Sequence, residues 1–167
     1  CPAERALYEL RDPESAEVWK LRLVPARHMA SMASNLYLNL VTPQRGYWFT
    51  FSVSQGYGGI SILPISDPYI EPGPGDLRGG PEGEARMGDI GGFLGFLAFE
   101  KELGIANDPP NRGDEAPSHI LLPELGQGLW YSAAAFTEDP AAERDPMPRG
   151  LFRRSGCLAD ATPEALP

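Results

Sequence analysis

The chain has 167 residues, 42% of them hydrophobic, enough for one compact domain with its own core. Its 23 acidic residues against 14 basic ones leave a net charge of −9, which repels phosphate backbones and anionic headgroups and sets nucleic acid aside as a partner. No run approaches the roughly 20 apolar residues of a membrane-spanning helix, and 19 Gly and 18 Pro predict stiff loops between short regular elements.

Residues 6–11 read as a strand, followed by turn chemistry at Asp12, Pro13, Glu14 and Ser15. In 18–24, Trp19, Leu21 and Leu23 fall on one face and Lys20 and Arg22 on the other, the period of a half-buried strand that Pro25 ends. Residues 36–41 repeat the pattern with Leu36, Leu38 and Leu40. The strongest strand is 47–54, where Tyr47, Phe49, Phe51 and Val53 alternate with Trp48, Thr50, Ser52 and Ser54. A glycine-rich turn at 55–59 leads into 60–65, so 36–65 reads as a three-stranded antiparallel meander.

Residues 66–92 are rich in Gly and Pro and predict a long loop. The run 93–99 is apolar on every face and suits either a buried strand or a short buried helix; Gly95 and the glycines before it favour the strand. A second exposed loop follows at 104–118, with Pro109, Pro110 and the tripeptide Arg112-Gly113-Asp114. Residues 119–122 and 128–136 read as further strands joined through 123–126, and a polar stretch at 137–148 precedes a last strand at 150–154. The tail 159–167 has no apolar period and is expected to fray. Eight or nine short strands with turns between them predict an all-β antiparallel sandwich or small barrel, one domain over 1–158 with two long Gly/Pro-rich loops.

Two cysteines, Cys1 and Cys157, lie near opposite ends. A chain opening on cysteine without an initiator Met resembles the mature end of a bacterial lipoprotein, whose first residue carries a diacylglycerol. That resemblance rests on one residue and makes Cys1 a lipid attachment site, the domain an ectodomain tethered to the membrane there alone. The alternative is a Cys1–Cys157 disulfide stapling a secreted domain. Both place the protein outside the cytoplasm, periplasmic or at the cell surface.

Catalytic signatures are wanting. His28 and His119 lack neighbours at metal-ligand spacing, so no metal or cofactor is assigned. No serine sits in a nucleophile elbow; Ser54 reads as the outward face of a strand. The carboxylates Glu100, Glu102, Asp108 and Asp114 read as solvated loop charges. The candidate binding surface combines Trp48, Tyr57, Trp130 and Tyr131 with His119, Arg149 and Arg153, the latter two in a local basic cluster with Arg154. The expected function is a non-enzymatic cell-envelope binding or assembly subunit whose partner is another envelope protein, with the long loops supplying contacts. The alternatives are a small-molecule binder or hydrolase with aromatics lining a pocket and His119 at its mouth, and a disulfide-stapled secreted structural module.

Overall fold

The computed structural model of the chain describes residues 1–54, 59–77 and 94–161. Among these, eight strands form: β1 (Ala6–Arg11), β2 (Val18–Pro25), β3 (Leu36–Val41), β4 (Gly46–Val53), β5 (Ile60–Ile65), β6 (Leu97–Phe99), β7 (His119–Leu121) and β8 (Phe152–Cys157). All paired neighbours are antiparallel, in the order β5-β4-β3-β2-β1-β8-β7-β6. The two ends of that row meet. Ser61 of β5 bridges Gly95, just ahead of β6; Ile62 N donates to Leu94 O and Phe96 N to Ile60 O, each at 2.9 Å. Ring order is therefore chain order, and the all-β expectation resolves into a nearly closed up-and-down barrel. Of the run 93–99, the described residues 94–99 take the extended form, and they are the segment that brings the ring together.

Eight strands enclose a space that side chains fill. The alternation read from the sequence decides what fills it: Trp19, Leu21 and Leu23 of β2, Leu36, Leu38 and Leu40 of β3, and Tyr47, Phe49 and Phe51 of β4 are all buried in one core. Phe51 meets Phe96 edge-to-face across the ring, with centroids 4.9 Å apart. On the outer face, Val24, Tyr37, Trp48 and Ile65 form a second, smaller cluster. Tyr69 covers it from the loop after β5, its ring 5.5 Å from that of Trp48, and Asp76 bridges back to Ile65. The rest of the 66–92 loop, from 78 on, lies outside the described residues.

One end of the barrel is closed by the helix α1 (Leu125–Ser132), which runs into a 3-10 turn at Ala133–Phe136. The strand expected at 128–136 is thereby corrected. Leu125, Leu129 and Ala133 recur every four residues and are all buried, the stripe of a helix, and the alanines after Ser132 carry no β-branched side chain that would favour a strand. Phe136 continues the stripe and packs on Phe49, with centroids 6.4 Å apart.

The other end is closed by the 104–118 loop, expected to be exposed but in fact built into the barrel mouth. Pro109, Pro110 and Ala116 are buried. Ser34 Oγ donates to Pro110 O (2.6 Å), Gly113 N to Glu4 Oε2 (2.9 Å) and Ala3 N to Asp114 O (2.8 Å). A long loop packed into a barrel mouth needs partners for its backbone polar groups, and the 1–5 and 26–35 segments supply them. β8 extends to Cys157, three residues beyond the strand expected at 150–154, and pairs there with Ala6. Leu158 is fixed beyond it, its N–H donating to Arg5 O at 2.8 Å; of the expected frayed tail, 162–167 lies outside the described residues.

Candidate functional site

With Leu125 and Leu129 turned into the core, α1 presents its other side outward. Trp130 is 43% exposed and Tyr131 76%. The guanidinium of Arg144 stands over the indole of Trp130, 4.6 Å from the ring centre, and holds it in place. Opposite the helix runs the 144–150 segment, and its position is set by Asp145. This carboxylate has no exposed surface. It accepts a short hydrogen bond from Tyr47 Oη and a longer one from Thr42 Oγ1 (3.4 Å), with Arg45 Nη1 at 3.8 Å. The Asp145 N–H donates to Leu129 O (3.0 Å), tying the segment to α1. Burial, together with the carboxylate beside it, raises the Tyr47 phenol well above its ordinary value.

Between the helix and this segment lies a groove of about 610 Å³. Trp130 and Tyr131 form one wall, Pro146, Pro148 and Arg149 the other, and residues 121–123 the floor. Gly126 lets the walls approach: a Cβ there would sit 3.3 Å from Met147 Cε. Beside the groove lies the outer face of β7 and β8. His119 is the register partner of Arg153, and Ile120 that of Phe152. Ile120 and Phe152 are buried inside, so His119 and Arg153 face out. Leu121, two residues from His119, floors the groove, and Leu151, 40% exposed, lies between Arg149 and Arg153.

Five of the seven residues proposed from sequence thus share one side of the molecule: Trp130, Tyr131 and Arg149 around the groove, His119 and Arg153 beside it. Trp48 does not join them. It lies on the far side of the sheet, 8% exposed under Tyr69. Tyr57 lies outside the described residues. Sequence reasoning missed Asp145, Arg144 and the proline wall, because the partners of Asp145 are 98 and 103 residues away and nothing local marks it.

His119 has a serine as its neighbour. Ser118 Oγ and His119 Nδ1 are 3.0 Å apart, but the same hydroxyl lies 3.0 Å from both Phe99 O and Glu100 O. That hydroxyl therefore has two backbone carbonyls as well as the imidazole within hydrogen-bond reach. His28 is exposed on the 26–35 segment and Ser54 at the end of β4. Among the described residues no three His, Cys, Asp or Glu side chains gather as metal ligands. A larger recess of about 780 Å³ lies at the opposite end of the barrel, among Glu100, Asp108, Asp114, Glu115, Lys101 and Arg154. Part of its charge is paired within the fold: the Cys1 α-amino group (3.3 Å) and Arg154 (3.4 Å) hold the Glu115 carboxyl below its ordinary range. Asp114 of the Arg-Gly-Asp tripeptide accepts from Asn111 N at 2.7 Å.

Cys1 Sγ is bonded to Cys157 Sγ, the second of the two fates read from sequence, with Cα atoms 6.0 Å apart. While that bond stands, the sulfur has no valence for a diacylglycerol thioether.

Fold and site together define an end-capped, disulfide-closed antiparallel β-barrel with an aromatic and arginine-bearing groove beside its capping helix. No protein-family model matches the chain, and no curated protein or solved structure is significantly similar to it.

Proposed function

We propose that this barrel is a non-enzymatic, extracytoplasmic binding or assembly domain that holds a partner protein through α1, the proline wall and the outer side of β7 and β8. The observation that carries the reading is the convergence of exposed Trp130 and Tyr131 with Arg149 on a groove whose walls are fixed from beneath. Trp, Tyr and Arg dominate the energetics of protein interfaces. A wall held by buried Asp145 and by prolines loses little freedom on binding. The interior is filled by aromatic and aliphatic side chains, which moves support away from a ligand enclosed in the barrel and toward its surface. The extracytoplasmic part of the reading rests on the Cys1–Cys157 bond, since such bonds persist in oxidising compartments. A lipid tether at Cys1 would need the same sulfur and is an alternative to that bond, not an addition to it.

The test is gel filtration of the protein extracted from its native cells. The wild-type chain is expected in a complex well above its own 18.1 kDa, and a Trp130→Ala/Tyr131→Ala/Arg149→Glu variant with unchanged thermal stability is expected to elute alone. Co-elution of the variant with the complex, or a wild-type chain that runs free, overturns the reading.

A further inference from the structure

The charges around the groove point to what occupies it. The chain carries −9, yet this side gathers arginines. Arg149 lines the groove, Arg144 stands over Trp130, and Arg153 lies next along β8. None of the three has a carboxylate partner among the described residues. Glu9, opposite Arg153 on β1, is bound to Arg11 at 2.8 Å. Arginine forks with unused donors match carboxylates in geometry as well as in charge. Beside them the groove is of mixed character, with apolar surface from Leu121 and Leu122 and from prolines that offer no N–H, and polar surface from Gln127 and Tyr131.

Resting on the reading above, we infer that the occupant is an extended acidic segment of a partner protein, with one apolar side chain between Trp130 and the 146–148 wall and carboxylates on Arg149 and Arg153. A volume of about 610 Å³ suits a few residues of chain, not a folded surface. Long polyanions and anionic membranes meet the repulsion of the whole molecule. A short segment meets only the arginines within about 8–10 Å, beyond which salt screens the rest. A second copy of this chain would bring another −9 to the contact.

The experiment pans a phage-displayed random dodecapeptide library on the immobilised full-length chain, and then titrates synthetic versions of the recovered peptides. Recovered sequences are expected to place Asp or Glu beside Trp, Phe, Leu or Pro. Their affinity is expected to fall at least about tenfold in Arg149→Glu/Arg153→Glu and in Trp130→Ala, and to weaken with salt. Acidic peptides that bind the charge-reversed variant equally well overturn the inference. So does equal affinity for phosphatidylglycerol vesicles or polygalacturonate, or a dimer of the chain alone that the charge reversal dissociates. Selection of basic or neutral peptides that still require Trp130 overturns the acidic occupant and leaves the binding face standing. Recovery of no groove-dependent peptide, together with a native complex indifferent to Trp130, Tyr131 and Arg149, overturns both.

Discussion

Asp145 shows how much one side chain organises. It is fully buried, yet it faces Tyr47 Oη, Thr42 Oγ1 and Arg45, and its backbone N–H holds α1. A buried carboxylate is tolerated when its lone pairs are used, and removing a partner leaves a desolvated group behind. Tyr47→Phe is expected to cost about 1–3 kcal/mol. Asp145→Ala is expected to cost about 3 kcal/mol, the lower end of the range for broken buried pairs because Arg45 is partly solvated. Both are read from urea unfolding, and a loss below about 0.5 kcal/mol in either contradicts the role assigned here. Burial also raises the phenols of Tyr8 and Tyr47 above their ordinary value. A pKa raised by folding contributes stability that is present in full below the unfolded value, about 10, and is lost as pH climbs from there toward the folded value. Urea midpoints are therefore expected to fall between about pH 9.5 and 11, less steeply in Tyr8→Phe and Tyr47→Phe. Equal slopes in wild type and variants contradict this. Both cysteines are bonded, so no free thiolate confuses the measurement.

At the scale of elements, α1 both plugs the barrel and carries one wall of the groove. Leu129 has no exposed surface, and its carbonyl accepts the Asp145 N–H. Leu129→Ala is expected to cost about 3 kcal/mol through the cavity it leaves and to loosen Trp130, seen as a fall in near-ultraviolet dichroism. An unchanged spectrum would uncouple the helix from the wall. The helix is also where sequence and structure diverge. Strands with one wet and one dry face write their burial into period-two alternation, so β2, β3 and β4 are legible down to which leucines face in. The 128–136 run mixes Gly, Ala and aromatics, and its decisive spacing begins at Leu125, inside what reads as a connecting turn. The cover of Trp48 by Tyr69 was hidden for a related reason. An outward aromatic on a strand looks available unless the loop that folds over it is known, and glycine- and proline-rich loops show little of where they pack. Arg149 and Trp130 were legible as residue types; that they share a groove depends on Asp145, whose partners are distant in sequence.

For the whole molecule, the β1–β8 pairing and the Cys1–Cys157 bond act on the same problem, bringing the first and last segments of a long chain together. The bond spans 156 residues, and in the chain-entropy account such a loop contributes roughly 5 kcal/mol. Reduction is therefore expected to lower thermal stability markedly, and intact mass of native protein is expected to rise by two hydrogen atoms on reduction, one on each sulfur. A native mass carrying a lipid increment at the N-terminal peptide contradicts the disulfide reading. With both ends capped and the interior filled, the proposed binding face lies on one outer side of the barrel. The most direct test is photo-cross-linking in native cells, with a benzophenone amino acid at Tyr131 or Leu151 and, for comparison, at the exposed residues Leu103 or Val53 away from the groove. A discrete protein adduct from Tyr131 and Leu151, absent from Leu103 and Val53, is the result predicted; adducts of equal yield at all four positions, or none from the first two, would contradict it.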